Sequence, residues 1–330
     1  MFCMSRKNMI EFSKHYSKLS EKCRFKECVF PVKSECSEKI VKAHSIQKSK
    51  ILAHIADKGM IITMDPRRTF FTGSFEELGI KTASTFHGFC NHHDTKIFSD
   101  IENKDYNSTL NQNFLFAYRA CAREYVAKKE VLCIDKDLAD RTKNSIFISK
   151  FMADKLDIKN LINYLNKFHK ELFKPKESRN YNVLTTKSYN LPYESLIAVN
   201  SVFNLTYDFN GKVINDPMTS KDMVLLFLNV FPQNNKTHIL LSCFSDELDK
   251  FRAFLSHIDT FSELQLENLF SQIIIVHCEN FCLSPQKWRR IKIDKRREIV
   301  SIFQDTMLGP TKSNYLLSTA PINLFKFLKK

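Results

Sequence analysis

The sequence predicts an α+β protein in two parts, an N-terminal zinc-stabilised module with helices followed by a domain of antiparallel sheet and helices. Three observations carry that expectation. Cysteine and histidine gather between residues 23 and 94, helical spacing of apolar residues fills much of 110–173, and β-branched and aromatic residues alternate with polar ones over 181–244.

The elements follow in order. From Ser5 to Ser20, Met9, Ile10, Phe12, Tyr16 and Leu19 recur near helical spacing among Lys and Ser, which predicts a short amphipathic helix. Cys23 to His44 is dense in Cys, Lys and Glu with Pro31 inside it, so it reads as a loop and short hairpin. Ser49 to Lys58 reads as a short helix closed by Gly59, and Met60 to Met64 as a strand. Helices are expected over Leu110–Lys129 and Ile146–Phe173. The polar, Pro-containing stretch from Lys174 to Asn180 marks a boundary, giving domains 1–175 and 181–330. Beyond it, Asn210-Gly211 and Asn234-Asn235 each sit between apolar runs and predict two hairpins of an antiparallel sheet. Asp246–His257 and Glu263–Ile275 read as helices, and Ser284-Pro285 as the cap and first turn of another.

Composition limits function. With 330 residues and only 6 glycines, the chain has little material for Gly-rich phosphate loops, and neither dinucleotide nor Walker patterns occur. A formal net charge of +14 favours a polyanionic partner, of which nucleic acid, DNA or RNA, is the one taken here. The longest apolar runs fall far short of the roughly 20 residues of a membrane span, so no membrane partner is expected. Without a secretory pattern in the first residues, the expected location is the cytoplasm. There, 10 irregularly spaced cysteines point to metal ligation or buried thiols rather than a disulfide framework.

Zinc needs four soft or borderline ligands at a tetrahedral centre, often as two close pairs. Cys90-x2-His93 is one pair, with Asp94 directly after it, although His92 can stand in for His93. For the other pair Cys28 and Cys36 are preferred, because Cys36 leads directly into the hairpin-like Ser37–His44. Cys23 with Cys28 is the competing choice. Cys278 and Cys282, with no second pair in view, read as buried thiols, and His54 and His87 as structural.

The succession of Cys28 and Cys36, then Ala43-His44-Ser45-Ile46, then Cys90-x2-His93-Asp94 resembles the HNH, or ββα-metal, nucleases in their treble-clef zinc form. The resemblance covers about residues 23–102. It implies a structural zinc on Cys28, Cys36, Cys90 and His93, with His44 as the general base that takes a proton from water. Asp94 stands where the family has a metal-binding histidine, and as an oxygen ligand it suits a catalytic magnesium or manganese. The activity so implied is metal-dependent hydrolysis of nucleic-acid phosphodiesters, of a kind that would serve microbial defence. The alternative is a non-enzymatic zinc module that binds nucleic acid or protein, with His44 structural.

A second feature is basic. Lys287, Trp288, Arg289 and Arg290, continuing to Arg296 and Arg297, join the only tryptophan to several cations, a combination able to grip phosphates and stack on a base.

Overall fold

Apolar alternation over residues 184–244 and a capped helical pattern after Ser262 place most of the core in the C-terminal half, and the fold is built around them. The structure is a computed structural model and describes residues 6–37, 39–65, 69, 72–142, 145–216, 222–307 and 322–330. The helices that carry the argument are α1 (Arg6–Lys22), α2 (Asn91–Glu102), α3 (Leu110–Thr142), α4 (Ser145–Leu172), α5 (Leu248–Ile258), α6 (Glu263–His277), α7 (Pro285–Arg290), α8 (Ile293–Met307) and α9 (Leu324–Leu328). The strands are β1 (Ile40–His44), β2 (Met60–Thr63), β3 (Glu76–Gly79), β4 (Thr85–Cys90), β5 (Leu184–Leu191), β6 (Ile197–Phe203), β7 (Leu226–Gln233), β8 (Lys236–Phe244) and β9 (Phe281–Leu283). The protein is therefore α+β. None of the described helices is long and apolar enough to cross a membrane.

Seven strands form one sheet in the order β3-β2-β9-β6-β7-β8-β5, and every recorded pairing in it is antiparallel. β6 is buried along its whole length, as a strand covered on both faces must be. One face meets α5 and α6 in a continuous apolar cluster that includes Val199, Leu228, Ile239, Phe254, Phe270 and Ile274. On the other, Phe231 stacks on Phe116 of α3 at 5.2 Å. Asn234 and Asn235, at φ 53° and 60°, make the tight turn between β7 and β8 that their residue types favour. α6 starts at a capping box, Ser262 with Gln265, which satisfies amides the first turn leaves open.

The chain forms two compact units, and neither is continuous in sequence. Residues 1–43, 86–96 and 122–170 make one, and 44–85, 97–121 and 171–330 make the other. The division into 1–175 and 181–330 is corrected accordingly. β2 is the reason: it pairs with β9, so the strands between residues 60 and 79 belong to the large sheet.

Other expectations are also revised. Asn210-Gly211 is a turn without flanking strands, closed by the single bridge Tyr207–Val213. The Asp208 carboxylate accepts the amides of Asn210 and Lys212, both at 2.9 Å, and so replaces the ladder. α3 runs on past Lys129 to Thr142 because no Pro or Gly interrupts it. The N-terminal helix is present over Arg6–Lys22, whereas Ser5 and the side chains of Met9, Ile10 and Phe12 lie outside the described residues.

Trp288 is part of the core. Its ring is 6% exposed and lies 5.3 Å from that of Phe75, so it is not available to stack on a base. Trp288→Ala is expected to cost about 3–5 kcal/mol in urea unfolding, the usual loss for a large buried aromatic. As the only tryptophan, Trp288 should also report this burial directly: its emission should be blue-shifted and should not respond to added oligonucleotide. A red-shifted emission that nucleic acid quenches would restore the stacking role.

Candidate metal centre

The centre is assembled within the first unit by a loop, a two-stranded sheet and a helix start. β1 pairs with β4, and the loop before β1 is tied to both β4 and the helix. The Val29 amide donates to the Gly88 carbonyl at 2.7 Å, the Cys90 amide to the Cys28 sulfur at 3.5 Å, and the His92 amide to Ser37 Oγ at 3.2 Å. Gly88 has no room for a side chain, since a Cβ there would lie 2.5 Å from the Phe86 ring and 3.1 Å from Val126. These contacts bring Cys28 and Cys36 of the loop to Cys90, at the end of β4, and His93, in the first turn of α2.

The four ligand atoms lie within 4.8 Å of one another, so the cluster can hold a metal ion such as zinc. Nδ1 of His93 is 3.5 Å from Cys28 Sγ, 3.6 Å from Cys36 Sγ and 3.2 Å from Cys90 Sγ. A tetrahedral zinc with bonds of about 2.3 Å to sulfur and 2.0 Å to nitrogen separates S from N by about 3.5 Å, so the donor set fits. Three thiols and an imidazole select a soft or borderline ion over magnesium and leave a tetrahedral ion no open position, the mark of a structural site.

The four groups differ in readiness: a thiol must lose its proton to ligate, and burial raises the pKa of both Cys28 and Cys36, so a bound ion has to displace those protons. Burial pushes the Cys28 thiol up to about 12. Burial acts the same way on Cys90, but hydrogen bonds from the His93 backbone and from Ser37 more than offset it and hold the thiol at about 7. Burial lowers the His93 pKa, keeping the ring in the neutral form that ligates.

Cys23 is outside the cluster. It is joined to Cys133 in a disulfide that ties the chain just after α1 to α3, which removes it as the competitor of Cys36. This disulfide stands beside the metal ligands and buried thiols that the cysteine spacing predicts. Cys278 and Cys282 are buried, as expected, and His54 is held at 3.0 Å by Glu194.

His44 ends β1 and belongs to the second unit, whereas Asp94 lies in the first turn of α2 in the first unit, so neither unit alone contains both. His44 Nε2 is 2.8 Å from the Ile80 carbonyl. A carbonyl only accepts, so Nε2 carries the proton and Nδ1 keeps its lone pair. Burial lowers the His44 pKa against the opposing Ile80 hydrogen bond; Lys48 and Arg119 also push it down while Glu102 pushes it up. Arg119 is itself buried, paired with Glu102 and seated 4.1 Å over the Phe98 ring. Nothing in residue spacing marks Arg119 or Glu102.

The basic cluster is partly neutralised. Arg289 binds Glu77 at 2.6 Å and Asp57 at 3.2 Å, and Arg297 binds Asp294 at 3.4 Å. Arg290 is exposed, and Lys287 and Arg296 are half-buried.

Comparison with family models, with curated proteins and with solved structures finds no match to this chain.

Proposed function

We propose that this chain is a zinc-stabilised, HNH-like nuclease that hydrolyses nucleic-acid phosphodiesters. The observation that carries the reading is the cluster of Cys28, Cys36, Cys90 and His93, split between a loop before β1 and the junction of β4 with α2. That order of knuckle, paired strands and helix is the order of the treble-clef form the sequence resembles. His44, which ends β1, is the residue to which the resemblance gives the role of general base. Its protonated Nε2 and lowered pKa support the role, since the base must be neutral with a lone pair to accept a proton. Asp94 is assigned as an oxygen ligand to a magnesium or manganese ion, which when bound would stabilise charge on the phosphate. The net charge of +14 supports a polyanionic substrate.

The test uses the full chain with DNA and RNA, single- and double-stranded, with magnesium or manganese added. One zinc per chain by elemental analysis, binding that weakens steeply with salt, and cleavage dependent on the added ion are expected. A protein that holds zinc and grips nucleic acid but cuts none of the four substrates is a binding module, and the His44–Ile80 bond is then structural.

A further inference from the structure

We infer that Glu35 is the positioning residue of the metal centre, accepting the proton-bearing nitrogen of His93 and so holding the ring on the ion. The inference rests on the zinc reading above and extends it beyond the four ligands.

The three sulfurs surround Nδ1 of His93, at 3.2–3.6 Å, so Nδ1 is the ligand atom. A neutral imidazole that ligates through Nδ1 carries its hydrogen on Nε2. That Nε2 is buried and makes no hydrogen bond. A buried donor left unpaired is costly, by about 1–3 kcal/mol, so the ring needs an acceptor to stay in place.

Glu35 is the acceptor within reach. Its Oε2 lies 3.9 Å from His93 Nε2, about 1 Å beyond a normal hydrogen bond, and its side chain is half-exposed and able to move. Two contacts hold it near. Lys96 of α2 lies 3.4 Å from the same oxygen. Glu35 also ends the 3-10 turn Lys33–Glu35, which the Cys36 amide closes by donating to the Lys33 carbonyl. The turn that delivers the Cys36 ligand therefore delivers the carboxylate with it.

A competing use of the same atoms is a second cation site, because Glu35, His92 and His93 also converge. The tautomer argues against it. With Nδ1 on zinc and hydrogen on Nε2, His93 has no lone pair left, and Glu35 with His92 alone is a poor cage. A carboxylate that accepts from a ligating histidine fixes its tautomer and orientation and raises its basicity, and losing it typically costs about 10- to 100-fold in metal affinity.

The experiment measures zinc affinity of the full chain against a chromophoric chelator. Glu35→Ala is expected to bind zinc about 10- to 100-fold more weakly than wild type. Glu35→Gln, which keeps an acceptor oxygen without the charge, should fall between. Cobalt-substituted protein should show the same three-sulfur, one-nitrogen bands in all three, because the ligands are untouched. Zinc-loaded wild type should show a slowly exchanging His93 Nε2 proton by NMR that Glu35→Ala lacks, a signal that a merely structural role for Glu35 would not produce. Equal affinities and an unchanged imidazole proton overturn the assignment to Glu35 while leaving the zinc centre standing. Two zinc ions per chain, one lost with Glu35→Ala, overturn it in favour of the second site. A wild-type chain that takes up no zinc removes the centre itself.

Discussion

Cys90→Ser is expected to release the zinc and unfold the first unit. The thiol is completely buried at the end of β4, where a hydroxyl in its place is a poor ligand for zinc. Apparent binding energies of structural zinc are about 10–16 kcal/mol in small zinc modules at neutral pH. A whole domain is stable by only about 5–15 kcal/mol, so losing most of the metal term exceeds the margin. The loop carrying Cys28 and Cys36 has little regular structure of its own and is tied to β4 and α2 by only a few hydrogen bonds, so a bound ion would add much to its order. Cys243→Ser is the control, because that thiol is equally buried but lies on β8, in the second unit. Elemental analysis and circular dichroism on both variants decide the matter. A Cys90→Ser protein with wild-type metal content and an unchanged melting transition would exclude the zinc centre.

The second large effect is on rate. His44→Ala should slow cleavage by about a hundred- to ten-thousandfold while leaving zinc content intact, because His44 is not among the converging ligands. The pH profile carries a sign. Burial lowers the His44 pKa, so the basic form persists below the ordinary histidine value of about 6.5, and the wild-type rate should hold there before falling on further acidification. Asp94→Ala should also inactivate, with partial recovery at high manganese, whereas His93→Ala should lose zinc and stability together. Wild-type cutting by His44→Ala under matched metal would assign the proton transfer elsewhere.

The metal cluster was legible in the sequence because its ligands are of rare types. Cys90 and His93 stand three apart at a strand-to-helix junction, a spacing that survives without knowledge of the fold. Choosing Cys36 over Cys23 was harder, since the partner of Cys23 is Cys133, a pairing at a separation of 110 residues that no local pattern announces. Trp288 departs from its sequence pattern for a related reason: its neighbours in sequence are cations, but its neighbours in space are Phe75 and the sheet. β3 and β9 are four and three residues long, too short for alternation to show. Glu35 carried no signal beyond adjacency to Cys36, because a residue that acts through another's ring has no spacing rule.

The discontinuity of the second unit bears on how the chain can be made. Thr63 of β2 bonds to the Phe281 carbonyl of β9 across a separation of 218 residues. During synthesis the β2–β3 hairpin leaves the ribosome long before its neighbour in the sheet exists, with an unpaired edge exposed meanwhile. Contacts so remote in sequence make folding slow, because the entropy of closing the chain is lost before the pairing repays it. A fragment beginning at residue 181 would carry the opposite defect, with β9 open along the edge that β2 normally covers. Neither half of the coding sequence encodes a finished sheet.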